Sequence, residues 1–113
     1  MARLPKVYET FRRTYPKIWQ AYDRLGALAH EAGPLNEKTR ELAKLALSIG
    51  AKMEGAVHSH TRKALDAGAT PAEIRQLALL GLTTLGFPST MAALSWIDDL
   101  LKLRSSRRAK TRR

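Results

Sequence analysis

Prolines and glycines divide this chain at regular intervals, and that punctuation limits its fold more than any other feature. Proline's fixed φ suits the first turn of a helix, whereas its missing N–H breaks a helix interior. Pro5, Pro16 and Pro71 each precede a stretch that carries charged residues, and the stretches after Pro16 and Pro71 are also rich in Ala and Leu. The strongest mark is Thr70-Pro71-Ala72-Glu73: a Thr cap, Pro at the first helical position and Glu at the third. Gly33-Pro34, Gly50, Gly68 and Gly86-Phe87-Pro88-Ser89 supply breaks between segments. No run of alternating β-branched residues occurs anywhere.

The pattern predicts an all-α, compact domain of about six helices. The first spans residues 5–14, and the second runs from Pro16 to about Ala32. The third is capped by Asn36 and continues to about Ile49, with Leu42, Leu45, Ala46 and Ile49 as its apolar face. A fourth opens in Met53–His60 and ends at Gly68. A fifth runs from Thr70 to about Leu85, and a sixth ends near Leu103. Short connections place successive helices roughly antiparallel. Tyr8, Phe11, Tyr15, Trp19 and Tyr22 recur at three- and four-residue steps, a stripe expected to be packing surface, between subunits included.

A chain of 113 residues supports one modest core. The expected organisation is a helical domain over residues 1–103 followed by a disordered basic tail over 104–113. The net charge of +10 is concentrated in Lys102–Arg113, which holds seven basic residues and no acidic one. Such a run is a solvated tail or a nonspecific contact for nucleic acid or another anionic surface. The charged N-terminal segment does not look like a signal peptide. The longest uncharged run, Gln76–Ile97, is broken by two glycines and a proline, so it does not read as a membrane span. A soluble, cytoplasmic protein is expected.

Polar chemistry gathers in Met53–His60, MEGAVHSH. On a helix, Met53, Ala56, Val57, His60, Ala64 and Ala67 share the apolar face, and His60 is its only polar group. Glu54 and His58 are four apart and can pair, whereas His58 and His60 diverge. A metal site built from Glu41, Glu54, His58 and His60 would need ligands from several helices or subunits. The structural alternatives are an i,i+4 pair for Glu54 and His58, a hydrogen-bonded core histidine for His60, and an ion pair of Glu41 with Lys38 or Lys44.

LNEKTRELAKLALSIG, HTRKALDAGATPAEIRQLALL and GFPSTMAAL together resemble the AhpD-like (alkylhydroperoxidase-like) core of the carboxymuconolactone decarboxylase family. The resemblance implies a homo-oligomer, often a hexamer or trimer. In the peroxidase (peroxiredoxin-type) branch, a glutamate precedes a Cys-x-x-Cys pair that is followed by a histidine. Laid on this chain, the glutamate falls on Glu41, the cysteines on Met53 and Ala56, and the histidine on His60. The chain contains no cysteine, so the thiol mechanism has no nucleophile. The decarboxylase branch lacks the thiols too and implies acid–base chemistry. There His60, Glu41, Glu54 and His58 would handle protons, with Arg62 and Lys63 near the substrate and no cofactor required. The other expectations are a redox-inactive binding or assembly module, and the four-residue metal site.

Overall fold

The computed structural model describes residues 5–111, with side chains as far as residue 106. The described residues form six α-helices and one short 3₁₀ turn. The chain divides into two compact units, Met1–Leu35 and Asn36–Arg113, where a single domain was expected. The helices of the first unit bury no residue fully, so the hydrophobic core belongs to the second.

In the first unit, α1 (Lys6–Thr14) and α2 (Pro16–Glu31) meet at Tyr15, with Pro16 opening α2. The aromatic stripe is real. Phe11 lies 5.3 Å from Tyr15 and 6.5 Å from Trp19, and Trp19 lies 6.2 Å from Tyr22, centroid to centroid. Tyr8, Phe11, Tyr15 and Tyr22 nevertheless stay exposed.

The second unit contains α3 (Glu37–Gly50), α4 (Glu54–Asp66), α5 (Pro71–Leu79), the 3₁₀ turn Leu80–Leu82 and α6 (Phe87–Thr111). Local chemistry starts the helices where expected. The Asn36 side chain accepts from the Thr39 N–H at 2.9 Å, and Thr70 and Glu73 form a reciprocal capping box. Leu45, Val57, Ile74, Ala78, Ala93 and Ile97 are fully buried, so four helices contribute to one core.

Three boundaries differ from the pattern read in the sequence. Helix α5 stops at Leu79 and tightens into the 3₁₀ turn, where the Gly81 carbonyl collects the N–H groups of Thr84, Leu85 and Gly86. A side chain at Gly81 would come within 3.2 Å of Thr90 Oγ1, so the missing Cβ lets this turn approach α6. Helix α6 continues to Thr111 instead of ending near Leu103, which corrects the expectation of a disordered tail as far as residue 111; residues 112–113 lie outside the described part. The continuation is rich in Arg and Lys, which are good helix formers, and cations suit a helix C-terminus.

The third difference sets the link that aligns α3 with α4. Gly50 remains inside α3, and the left-handed position falls on Lys52, at φ 58°. The Lys52 N–H reaches the Ile49 carbonyl at 3.0 Å and the Met53 N–H reaches Ser48 at 3.1 Å, the paired bonds of a Schellman closure. The same closure ends α4 with Gly68 at φ 100°. Lys52 holds with a Cβ the conformation that Gly68 holds without one. Lys52→Gly is therefore expected to raise unfolding stability by about 0.5–1 kcal/mol in urea titration, whereas Gly68→Ala lowers it by a similar amount or more.

Candidate functional site

The seam between α3 and α4 carries the polar groups. On α3 the buried residues are Glu41, Leu45, Ser48 and Ile49, and on α4 they are Val57, Thr61, Ala64 and Leu65. Both stripes follow the i, i+4, i+7, i+8 rhythm of a packed helix face. Each is rotated from the face read in the sequence. Ala46 is exposed, and Glu41 moves from the edge of the α3 face into its buried row. On α4, Thr61 takes the centre and His60 sits at its border, while Met53 is largely exposed. Expected apolar faces assume that apolar residues decide the rotation; here three polar residues lie under the seam as well.

That rotation brings Glu41 and His60 together. Glu41 Oε1 lies 2.9 Å from His60 Nδ1, with the two side chains only 8% and 16% exposed. A carboxylate can only accept, so Nδ1 carries the proton and Nε2 is left with the lone pair. Burial pushes the His60 pKa below the usual histidine range. The Glu41 hydrogen bond and charge pull it back upward, while the ammonium groups of Lys63 and Lys44 add to the downward push. The result is a neutral imidazole held in one tautomer by a buried partner, with two cations close enough to act on it.

The remaining sequence candidates separate. His58 does not pair with Glu54. Its Nε2 meets Asp99 Oδ2 of α6 at 3.1 Å, on a more exposed flank. Asp99 was not singled out in the sequence, although Asp98-Asp99 is the one acidic pair in α6 and was the available signal. Glu54 is exposed in the first turn of α4, where a carboxylate suits the helix N-terminus. Arg62 is half-buried, whereas Lys63 is exposed and bears on His60. Lys44, which also bears on His60, was read only as a surface partner for Glu41. Lys38 pairs instead with Glu73 of α5 at 2.9 Å.

Glu41, Glu54, His58 and His60 thus do not converge. Among the described residues, no three His, Cys, Asp or Glu side chains are grouped so as to hold a metal ion. No helix among them is long and apolar enough to cross a membrane.

Comparison with known proteins agrees with this frame. The sequence pattern of the carboxymuconolactone decarboxylase family matches residues 16–99. An uncharacterised protein of Haemophilus influenzae is 38% identical over 63 residues, a match spanning 56% of each chain. A carboxymuconolactone decarboxylase family protein from Legionella pneumophila, in its apo form, superimposes with a TM-score of 0.74 at 24% identity. It covers 84% of this chain and 85% of its own. A candidate carboxymuconolactone decarboxylase from Burkholderia xenovorans gives a TM-score of 0.69 at 21% identity, over 92% and 84% of the two chains.

The lowered His60 pKa has a defined sign. A folded-state value below the unfolded one means that the unfolded chain binds the proton more readily. The contribution to stability is then present above the unfolded value, about 6.5, and is lost as pH falls through the folded value. Urea titrations at pH 8 and pH 5 are expected to show wild type losing more stability on acidification than His60→Gln does. Parallel losses would rule out His60 as the responsible group.

Proposed function

Because this chain belongs to the carboxymuconolactone decarboxylase family, we propose that it is a thiol-free acid–base enzyme of the decarboxylase or lyase type, with His60 as the proton-transfer group. The buried Glu41–His60 hydrogen bond is the observation that supports this most directly. Glu41 fixes the Nδ1–H tautomer and stabilises the imidazolium formed when Nε2 takes a proton from substrate. The same Nε2 returns the proton to the carbanion or enolate left when a C–C bond breaks with loss of CO₂, or to the oxygen that departs when a C–O bond breaks. A lowered pKa keeps His60 in the basic form near neutral pH, as a proton acceptor requires. Lys44 and Lys63, whose charges act on His60, favour an acidic substrate whose carboxylate they could neutralise. Glu54 with His58 remain candidates for proton exchange at the flank, and Arg62 for substrate binding.

The thiol branch of the family is a poor guide to this chain. The positions that hold the two cysteines there are Met53 and Ala56 here, and neither a thioether nor a methyl group forms a thiolate that attacks an O–O bond.

Carboxymuconolactone is the starting substrate for an assay that follows CO₂ release. His60→Gln retains a hydrogen-bonding partner for Glu41 but removes the base, and is expected to lower kcat by about 10²–10⁴. Arg62→Ala is expected to raise KM with little change in kcat. Equal residual activity in both variants would overturn the assignment.

We also propose that the protein is a homo-oligomer, a trimer or hexamer of the kind implied by its family. The support on the chain itself is apolar exposure: Leu79, Leu80, Leu82, Leu85, Phe87 and Met91 lie within one short stretch and remain open to solvent. Light scattering is expected to return a multiple of the 12.6 kDa chain mass. Phe87→Glu, which adds an acid where the start of α6 tolerates one, should reduce the assembled mass while circular dichroism stays helical. If assembly persists but turnover is absent for wild type, the binding-module alternative gains the ground that acid–base catalysis loses.

A further inference from the structure

We propose that the groove between α5 and the second half of α6 seats the phosphate backbone of a nucleic-acid duplex. The groove encloses about 710 Å³ and is lined by Thr70, Arg75, Asp98, Lys102, Arg104 and Ser105 over an apolar floor. It therefore presents three cations and two hydroxyls against one carboxylate.

The cations are available to an incoming anion. Lys102 makes no hydrogen bond or ion pair with any described residue. Arg75 approaches Asp98 and Arg104 approaches Asp66 through one long contact each, 3.6 Å in both cases. All four of these side chains are substantially exposed, and such pairs contribute little to stability. A guanidinium that turns from them to a phosphate gains paired, charge-assisted hydrogen bonds in exchange.

The groove continues into a longer basic element. Helix α6 runs from Lys102 to Thr111 without a break, roughly 15 Å at the rise of an α-helix. From residue 107 the sequence adds five basic residues and no acidic one. Duplex DNA offers one negative charge per roughly 1.7 Å of axis, which matches an extended basic helix better than a single small anion does. A membrane surface is the poorer fit, because Leu103 is the one large apolar residue after Leu101 and no apolar stripe exists to enter a bilayer. A single strand is also a poorer fit, because no aromatic residue lines the groove or follows Trp96 to stack on bases.

The test uses the full chain and a fluorescently labelled duplex of about 24 base pairs and mixed sequence, followed by anisotropy. With about five phosphates contacted, the log–log salt slope is expected near −4.5, so affinity falls roughly 500-fold between 50 and 200 mM salt. Lys102→Gln/Arg104→Gln should reduce the slope by about 2. Truncation after Ser106 should reduce it further. Arg12→Gln/Arg13→Gln removes the same charge from α1 and should leave the slope unchanged. Circular dichroism confirms that each variant is folded. The proposal is overturned by equal losses in the two double variants, which net charge alone would produce. It is also overturned by no detectable binding at 50 mM salt, or by tighter binding to phosphatidylserine vesicles than to the duplex.

Discussion

Burying a carboxylate is costly unless something answers its charge, and the second unit of this protein is arranged around that requirement. Glu41 sits in the row of α3 that also supplies Leu45 and Ile49 to the core, so the packing that stabilises the helix pair also draws its carboxylate out of water. His60, at the border of the matching row on α4, supplies the partner at 2.9 Å. Removing either member of such a buried hydrogen-bonded pair costs about 1–3 kcal/mol, because the other is left unpaired. The Schellman closure at Lys52 and Met53 brings the two helices back against each other, and through them the pair is held.

The same geometry explains how the site can be polar without being generally wet. Ser48 returns its hydroxyl proton to the Lys44 carbonyl at 2.8 Å, within its own helix. Thr61, fully buried beside His60 in sequence, leaves Oγ1 without a partner among the described residues. His60 is the group at the edge of the seam, partly open, with its second nitrogen not used by Glu41. A desolvated base with one fixed tautomer is a useful proton acceptor, and the cations of Lys44 and Lys63 lie close enough to act on it. The His58–Asp99 pair, by contrast, is exposed and resembles a surface link between α4 and α6.

The chain belongs to the carboxymuconolactone decarboxylase family and contains no cysteine, so the Glu41–His60 pair stands without a thiol beside it. Its all-α architecture agrees with the solved structures that it resembles at low identity. What the missing thiols change is the reaction available: proton transfer stays chemically accessible, whereas thiolate attack and disulfide formation do not. The exposed apolar stretch from Leu79 to Met91 and the basic end of α6 are separate surfaces of different chemistry.

Local chemistry made much of this legible in the sequence. The Asn36 cap, the Thr70–Glu73 capping box and the prolines at helix starts act over four residues, so they could be read without knowing what packs against what. The absence of cysteine excluded thiol catalysis just as directly. Rotation and pairing were different. Whether Glu41 or Ala46 turns inward depends on the opposing helix, and so does the choice of Asp99 over Glu54 for His58, whose partner lies 41 residues away. Glu41 likewise had two plausible neighbours on its own helix, Lys38 and Lys44, but Lys38 pairs with Glu73 of α5. The helix starts were written in the chain because caps and prolines act locally. The buried carboxylate–imidazole pair exists only because the tertiary packing of α3 on α4 removes two distant residues from water at the same point.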